Sequence, residues 1–367
     1  MSRELPTVDN YAAIALAQTP LLDVRAPVEF ERGAIPQATN LPLMNDDERH
    51  QVGLCYKQRG QQQAIALGHQ LVQGDLRAER LASWQAFFSQ HPNGLLYCFR
   101  GGLRSRTSQQ WLADAGVEVA RIAGGYKAFR QYLIDTLDQT AAALEQGALA
   151  SWILAGRTGS GKTALLQHLP GAVDLEGLAQ HRGSSFGGRA WSQPSQIDFE
   201  NRLAYRLIEL NAQPIRQRVF EDEARNIGSV HLSPPLFNAI KAGKRIVLDV
   251  PFDTRCQHIL QEYVIEGQLE FGGLNAWMAH MQARFARIAK RLGGVGYTKL
   301  SHAFEQACIE QQATGDFGAH ISWIAPLLQD YYDPMYDYQL KRHSQPVIMR
   351  GGAQDVSAFM QHISSVN

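Results

Sequence analysis

The sequence of 367 residues has few cysteines, no excess of either charge and no long apolar run. Its 4 cysteines lie far apart and form no C-x-x-C pair, which excludes a zinc ribbon and a dense disulfide framework. Lys and Arg number 35, as do Asp and Glu, so a histone-like global positive field is also excluded. Any contact with nucleic acid must therefore come from a local basic patch.

The start of the chain lacks the apolar stretch and small-residue cleavage site of a secretory signal, and nowhere do ~18 apolar residues run together. We therefore expect a cytoplasmic protein with reduced thiols and no membrane contact. The composition, 45% hydrophobic and 19% charged, is that of a globular chain rather than a disordered one. At ~100–200 residues per domain, the length predicts two or three domains.

Apolar runs alternate with helical patterns in the first third of the chain. Residues 21–24 and 95–97 are predicted strands, and 64–72 and 80–88 carry helical spacing, which favours βαβ units with a parallel sheet. A helical stretch at 132–149 leads to the next part, so we predict domains at 1–143 and 144–367. The second domain is predicted to be α/β with a helical C-terminal part over 253–340, and its predicted strands are 151–155, 172–175, 219–221, 245–250 and 346–349.

A glycine loop follows the predicted strand 151–155 and precedes a predicted helix. Its sequence, residues 156–163, fits G-x-x-x-x-G-K-[ST], in the strand–loop–helix context that this phosphate-binding motif requires. Backbone N–H groups of such a loop surround a phosphate, the lysine reaches its outer oxygens, and the Thr163 hydroxyl can hold Mg²⁺. The predicted phosphate-binding residues are Gly156, Gly159, Ser160, Gly161, Lys162 and Thr163.

An acidic residue that orients Mg²⁺ or the attacking group normally ends a strand next to such a loop. Asp249 ends one predicted strand, while Glu221, Asp222 and Glu223 end another. For each acid, the alternative interpretation is a solvated loop carboxylate or a helix cap. We favour the Glu221 cluster because three acids converge there.

A second loop places Cys98 at the end of the predicted strand 95–97. Two glycines and a serine at a helix start follow, so that backbone N–H groups can surround the sulfur. Arg100, Arg104 and the helix N-terminus favour the thiolate, so we predict a reactive nucleophile. The alternative, a buried structural cysteine, is the interpretation we give to Cys55, Cys256 and Cys308.

Several strings around Cys98 resemble a rhodanese domain: Leu22-Asp23-Val24-Arg25, Gly33-Ala34-Ile35-Pro36 and Ile122-Ala123-Gly124-Gly125. Ala34 stands where rhodaneses usually have histidine. With the phosphate loop and further strings, the whole chain resembles the bacterial tRNA 2-selenouridine synthase family. Those strings are Tyr56-Lys57-Gln58-Arg59-Gly60, His181-Arg182-Gly183-Ser184-Ser185-Phe186-Gly187, Glu221-Asp222-Glu223-Ala224-Arg225 and Tyr331-Tyr332-Asp333-Pro334-Met335-Tyr336. Phe99 and Ala224 depart from the tryptophan and serine expected there.

This resemblance implies a rhodanese-like domain followed by a P-loop NTPase-like domain. It also implies a transferase that geranylates wobble 2-thiouridine in tRNA and then replaces the sulfur by selenium. The implied co-substrates are geranyl diphosphate and selenophosphate, with Mg²⁺ as an option, no redox cofactor, and a selenophosphate supply enzyme as an option among partners. The implied catalytic residues are Cys98, Arg100, Arg104 and Lys162. Cys98 then either carries selenium or acts on the geranylated base.

Two further segments are candidates for contacts with tRNA. Arg182, Ser184, Ser185 and Phe186 lie in a glycine-flexed loop that suits a second phosphate or a stacked base, or else forms an ordinary surface loop. A predicted helix places Arg284, Arg287 and Arg291 on one face, and Arg106 follows the cysteine loop. These four arginines are predicted to contact tRNA phosphates, against the alternative of a solvated helix face. The tyrosines at 331–338 either stack on anticodon bases or belong to the core.

Two other functions stay open at this point. One is a rhodanese-type sulfurtransferase that a nucleotide-binding P-loop domain regulates. The other is a small-molecule kinase with a rhodanese appendage. Both predict ATP or GTP turnover, whereas geranyl transfer predicts diphosphate release only when thiolated tRNA is present.

Overall fold

The computed structural model describes residues 5–342 and 345–366 of the chain. They divide into two compact units, one comprising residues up to Leu137 together with Ser195–Ala212, the other Asp138–Pro194 and residues from Gln213 onward. Each contains a parallel sheet flanked by helices, which confirms the predicted fold class. The boundary predicted between residues 143 and 144 stays a prediction.

The first unit is built on a parallel sheet of five strands in the order β1-β5-β4-β2-β3. These strands are β1 (Thr7–Val8), β2 (Leu21–Asp23), β3 (Ala38–Asn40), β4 (Leu95–Tyr97) and β5 (Ala120–Ile122). The central strands β2 and β4 pair from Leu21 with Leu95 to Asp23 with Tyr97. Their carboxyl ends therefore lie side by side, and the cysteine loop begins at that edge.

The helices of this part of the chain are α1 (Tyr11–Leu16), α2 (Pro27–Glu31), α3 (Asp46–Arg59), α4 (Gln61–Leu71), α5 (Gly74–Gln90), α6 (Leu103–Asp114) and α7 (Gly125–Glu145). Asn45 and Glu48 form a reciprocal capping box at the start of α3, with both hydrogen bonds at 2.8 Å. Gly60, at a φ of 84°, separates α3 from α4. Helices α3 and α4 therefore form a hairpin between β3 and β4.

The second unit contains a parallel sheet in the order β12-β11-β6-β8-β7 and a short antiparallel ribbon of β9 and β10. Its strands are β6 (Ala150–Ala155), β7 (Ala172–Val173), β8 (Gln217–Glu221), β9 (Asn226–Ile227), β10 (Val230–His231), β11 (Lys244–Leu248) and β12 (Val347–Gly351). Strands β6 and β8 pair in parallel, so that Leu154 stands opposite Glu221. The end of β8 therefore lies beside the phosphate loop that follows β6.

The remaining helices are α8 (Lys162–Leu166), α9 (Leu175–Ala179), α10 (Gln196–Asn211), α11 (Pro234–Lys241), α12 (Phe252–Ile259), α13 (Glu266–Glu270), α14 (Leu274–Thr314), α15 (Ile321–Pro326), α16 (Asp333–Arg342) and α17 (Ala353–Val366). The predicted helical C-terminal part is present. Gly293, at a φ of 73°, kinks α14. Among the residues described, no helix combines the length and the apolarity needed to cross a membrane.

Helix α10 packs in the first unit although it follows the phosphate loop in sequence. Asp198 accepts a hydrogen bond from the Ala34 backbone at 2.8 Å, and Asn201 donates to the Ala34 carbonyl at 2.6 Å. The ring of Tyr205 stacks on Phe129 of α7 at 6.1 Å between centroids. This long-range packing was not predicted from the sequence. Ala34, where rhodaneses usually have histidine, is thus held by its backbone.

Candidate active site

Cys98 lies directly after β4, in the loop that leads into α6. The residue is 3% exposed, and its thiol donates to Ser105 Oγ at 3.1 Å, while the Ser105 hydroxyl donates to the Gly102 carbonyl at 3.1 Å. The neighbouring backbone is packed so closely that a Cβ at Gly125 would collide with the Cys98 carbonyl oxygen. The loop therefore holds the sulfur in one place, with Ser105 as its immediate partner.

The arginines of the loop have different environments. Arg104 forms an ion pair with Glu29 of α2, with guanidinium–carboxylate distances of 2.5 and 3.1 Å. Burial lowers the pKa of Arg104, but Glu29 and then the charge of Cys98 raise it above its ordinary value. Arg100 is exposed. Arg121, which the sequence analysis missed, donates to the Gly101 carbonyl at 3.0 Å and also lies within electrostatic reach of Cys98.

A buried ion pair at the end of β2 is connected to the cysteine loop through Tyr126. Arg25 Nε donates to Asp23 at 2.8 Å, and its second nitrogen donates to the Gly33 carbonyl at 3.0 Å. The Arg25 guanidinium lies 3.9 Å from the centre of the Tyr126 ring. Tyr126 in turn donates its backbone N–H to the Cys98 carbonyl at 2.9 Å. This chain of contacts links the Leu22-Asp23-Val24-Arg25 string to the reactive sulfur.

The phosphate loop connects β6 to α8, as the motif predicted. Gly159 and Gly161 have φ angles of 80° and 74°, a region that favours glycine, and a Cβ at Gly159 would lie 2.7 Å from the Arg255 carbonyl oxygen. Lys162 Nζ donates to the Gly156 carbonyl at 2.9 Å. Ser160 Oγ is buried and has no hydrogen-bond partner among the residues described, so a loop ligand would satisfy it.

Side chains of helix α12 contact backbone carbonyl groups of the phosphate loop. These contacts were not predicted from the sequence. Arg255 donates to the Thr158 carbonyl at 3.2 Å and forms an ion pair with Asp333 at 2.7 Å. His258 Nδ1 lies 2.8 Å from the Gly159 carbonyl oxygen. Asp333 belongs to the Tyr331–Tyr336 string, so these contacts explain why that string accompanies a phosphate loop.

The predicted acids lie in three different environments. Glu221, at the end of β8, accepts a hydrogen bond from Thr163 Oγ1 at 2.9 Å and thereby reaches the phosphate loop. Asp222 instead pairs with Lys241 and Arg245, each at 2.5 Å, and these cations hold its pKa below the ordinary value despite burial. Asp249 is exposed and pairs with Arg350. Of the acids predicted, Glu221 therefore contacts the loop.

Glu176, which precedes the predicted cluster in sequence, completes this acidic group. Its backbone N–H donates to Glu221 at 3.0 Å. Burial, followed by the charges of Glu221 and Glu223, raises the pKa of Glu176 well above its ordinary value. Burial, followed by the charge of Asp174, raises the pKa of Glu221 to about 8. Thus buried carboxyl groups surround Thr163 and favour either bound protons or a cation.

Mg²⁺ is commonly held by a loop hydroxyl, one or two carboxylates and substrate phosphates. The Thr163–Glu221 pair, with its excess of buried carboxyl groups, fits the cation in that way. Within the described ranges, no three His, Cys, Asp or Glu side chains are arranged to hold a metal by themselves.

The loop at residues 181–187 differs from its prediction as a base-stacking segment. Phe186 is 4% exposed and packs edge-on against Phe285 at 5.1 Å, because it belongs to the core of the helical part. Arg182 is buried and pairs with Glu270 at 2.8 Å. Ser184 Oγ lies 3.2 Å from the Tyr263 hydroxyl, and Ser185 is exposed. The Phe186 ring is thus unavailable for stacking, whereas Arg182 and Ser184 line the phosphate-loop cavity.

A cavity of about 530 Å³ adjoins the phosphate loop. Its lining includes the loop, the apolar and aromatic side chains of Ile259, Tyr263, Tyr332 and Met335, and the carboxylates of Glu262 and Glu266. A smaller apolar cavity adjoins it, and Thr158, Ser184, Ile259, Tyr263 and Tyr332 line both cavities. The lining is therefore amphipathic: it combines a phosphate loop with apolar side chains.

The predicted basic residues divide by exposure. Arg106 of α6 and Arg287 and Arg291 of α14 are exposed. Arg284 is half-buried, where burial and then the charge of Arg287 lower its pKa, and its Nε lies 3.4 Å from His280. Tyr331 and Tyr332 are buried in the helical core, as the structural alternative predicted. Arg287 and Arg291 thus remain the candidates on α14 for contact with nucleic acid.

Residues 149–366 match the model of the tRNA 2-selenouridine synthase AAA domain, and residues 8–132 match that of the rhodanese-like domain. The tRNA 2-selenouridine synthase of Hydrogenovibrio crunogenus is 47% identical over 98% of this chain and 100% of that protein. Those of Serratia proteamaculans and Sulfurovum sp. are 48% and 46% identical, covering 100% and 98% of this chain and 99% of each relative.

Proposed function

The chain belongs to the tRNA 2-selenouridine synthase family, and from that premise we propose that it makes 2-selenouridine by two successive transfers. As a member of the family it is an enzyme of tRNA modification that forms selenouridine. The proposed first transfer geranylates the sulfur of wobble 2-thiouridine. The proposed second transfer replaces that sulfur by selenium from selenophosphate. We place both reactions in the cytoplasm, where tRNA is found.

The observation that carries this proposal is the amphipathic cavity at the phosphate loop. Its phosphate loop suits a diphosphate, and Ile259, Tyr263 and Met335 in its lining suit a hydrocarbon chain. Geranyl diphosphate combines these two chemistries in one molecule. In the first transfer the thiocarbonyl sulfur forms a bond to the terminal geranyl carbon, and the diphosphate leaves with the electron pair of the carbon–oxygen bond.

Lys162 and the loop N–H groups stabilise the charge that grows on the departing diphosphate. Lys162 contacts the Gly156 carbonyl in this structure, and a diphosphate would exchange that contact for its own oxygens. Where Mg²⁺ binds, Thr163 and Glu221 supply oxygen ligands and the ion adds positive charge. Hydrolysis of a nucleoside triphosphate has no part in this step.

Geranylation makes the sulfur a better leaving group. A bare thiocarbonyl sulfur is doubly bonded to C2, whereas an S-geranyl group is singly bonded and departs as a thiolate. The geranylated base is therefore the intermediate on which the second transfer acts. In the net reaction geranylthiolate leaves C2, selenium from selenophosphate takes its place, and water cleaves the phosphorus–selenium bond.

Cys98 serves the second transfer. Of its two roles, attack by the thiolate on C2 of the geranylated base is redox-neutral, because geranylthiolate leaves and selenium then displaces the cysteine. A perselenide on Cys98 would need an electron acceptor, since selenium in selenophosphate is already fully reduced. We therefore favour attack on the base. Ser105 can turn its hydroxyl to the thiolate, which it contacts at 3.1 Å.

The test uses purified chain, tRNA carrying 2-thiouridine, geranyl diphosphate and selenophosphate. We expect diphosphate release only with thiolated tRNA, and mass spectrometry of nucleosides should show S-geranyl-2-thiouridine before 2-selenouridine. ATP or GTP turnover without prenyl transfer would instead support the regulated sulfurtransferase or the kinase.

A further inference from the structure

A second large cavity lies in the first unit, beneath the hairpin of α3 and α4. Its volume is about 530 Å³, within the range of ~300–1,000 Å³ typical of small-molecule sites. Val52, Ile65 and Val72 from the hairpin and its end face Leu103, Thr107 and Trp111 on α6. The proposed first transfer makes no use of this cavity.

The walls of the cavity expose apolar side chains to solvent. Tyr56 is 58% exposed, Leu103 is 50% exposed and Ile65 is 36% exposed. Leu54, also on α3, is exposed but does not line the cavity. Large apolar side chains concentrated around a concave surface mark a site that binds an apolar group.

The cavity reaches the reactive loop. Leu103 and Arg104, which line it, begin α6 immediately after the loop that carries Cys98. Met44 and Trp111 line the cavity and pack in the same buried core as Cys98. The cavity therefore adjoins the cysteine loop.

Charged side chains also line this cavity. Arg49 and Arg104 both pair with Glu29, so one carboxylate faces two guanidinium groups. The surplus of positive charge suits a ligand that is part of a polyanion. The surface thus combines an apolar interior with a cationic edge, and this matches an apolar chain carried on RNA.

We propose that this cavity binds the geranyl chain of the S-geranylated wobble base during the second transfer, an inference that rests on the proposed function. The chain would then have two prenyl sites, one for the diphosphate donor and one for the modified base. When the C2–S bond breaks, sulfur leaves with the electron pair as geranylthiolate and takes a proton from water. The cavity holds the hydrocarbon of this leaving group. The Cys98 thiolate supplies the new electron pair to C2 as the C2–S bond breaks, and selenophosphate then displaces the cysteine.

The test compares binding of two synthetic anticodon stem-loop RNAs by fluorescence anisotropy. One carries S-geranyl-2-thiouridine at the wobble position and the other 2-thiouridine. The proteins are the wild type, Ile65→Asp and Tyr56→Asp, with Leu54→Asp as the matched control because it adds the same charge to α3 outside the cavity. Both altered cavity residues are partly exposed, and a melting curve checks that each variant is folded.

We expect the wild type to prefer the geranylated RNA at least tenfold, since each buried methylene contributes about fourfold in affinity. Ile65→Asp and Tyr56→Asp should lose most of this preference while binding the thiolated RNA as before. Leu54→Asp should keep it. The same preference in all four proteins, or none in the wild type, overturns the proposal.

A parallel assay of geranyl transfer to the thiolated RNA separates this inference from the proposed function. If the wild type transfers geranyl and the cavity variants still prefer the geranylated RNA, the inference about this cavity is rejected and the proposed function stands. Absence of transfer rejects the proposed function itself. Equal binding of a fatty acid and of geranylated RNA, both lost in Ile65→Asp, would identify a general lipid site and also overturn the proposal.

Discussion

Cys98 and Lys162 both follow the carboxyl end of a strand in a parallel sheet, yet their surroundings differ in charge. The guanidinium of Arg104 and that of Arg121 lie near the sulfur, whereas buried carboxyl groups of Glu176 and Glu221 lie near the phosphate loop. The first setting is cationic. The second favours a diphosphate only together with a cation or bound protons. The same strand–loop–helix arrangement thus occurs in two electrostatic settings, and the neighbouring side chains decide which.

The largest expected effect is the loss of one activity without the other. Cys98→Ala should abolish selenium incorporation while geranylation continues, because only the second transfer uses the thiol. Cys55→Ala, which removes another free thiol of the first unit, is the control. Nucleoside mass spectrometry measures both products. Full selenation by Cys98→Ala would refute its role, and loss of both activities in a folded variant would indicate one shared site.

Lys162→Ala tests the phosphate loop in the same manner. Loss of the cation beside the departing diphosphate should slow geranyl transfer by roughly 10²–10³-fold at saturating geranyl diphosphate. Selenation of tRNA that is already geranylated should be much less affected. Lys244→Ala removes an exposed lysine of β11 and serves as the control. An unchanged rate of geranyl transfer would show that Lys162 does not stabilise the leaving group.

The buried acids predict a pH dependence of stability. Folding raises the pKa of Glu221 from its ordinary 4.5 to about 8, so the folded chain binds this proton more tightly than the unfolded chain. The free energy of unfolding should therefore fall as pH rises from 4.5 through about 8. Glu221→Gln should escape this loss.

Urea unfolding at pH 5 and pH 8 measures the effect. Relative to wild type, Glu221→Gln should gain roughly 2–4 kcal/mol more at pH 8 than at pH 5. Glu310→Gln, which alters an exposed carboxylate on α14, should show no such difference. A gain that is independent of pH would mean that Glu221 is ionised in the folded chain throughout.

The smallest expected effect concerns tRNA. Charge reversal in Arg287→Glu should weaken binding of all substrate tRNAs and reduce the slope of log K against log salt by roughly one phosphate contact. Lys299→Glu, beyond the kink of the same helix, is the control. The same experiment on Arg106→Glu asks whether the first unit also contributes. If affinity and slope are unchanged, the arginines form only a solvated helix face.

The sequence predicted both loops and their strands, because each loop's residues are contiguous and their chemistry depends on local backbone. The strand predicted at 95–97 is β4, and the helix predicted after the phosphate loop is α8. The contacts between the first unit's local segments and segments remote in sequence could not be predicted. Ala34 gave no local sign that α10, more than 160 residues later, holds its backbone.

The candidate site shows the same limit. Glu221 was predicted because it ends a strand, but Glu176 was missed, since it follows a two-residue strand and reaches the site only through the fold. Phe186 was misjudged because a glycine-rich string hides its burial against Phe285. Aromatic residues beside flexible loops therefore need a structure before they can be assigned to a ligand or to the core.

The most direct test asks whether the two loops serve separate transfers. The Lys162→Ala and Cys98→Ala variants are each supplied with S-geranylated tRNA and selenophosphate. Nucleoside mass spectrometry then measures 2-selenouridine. The account predicts that Lys162→Ala converts the geranylated base at nearly the wild-type rate and that Cys98→Ala does not convert it. Equal loss of conversion in both folded variants would contradict it.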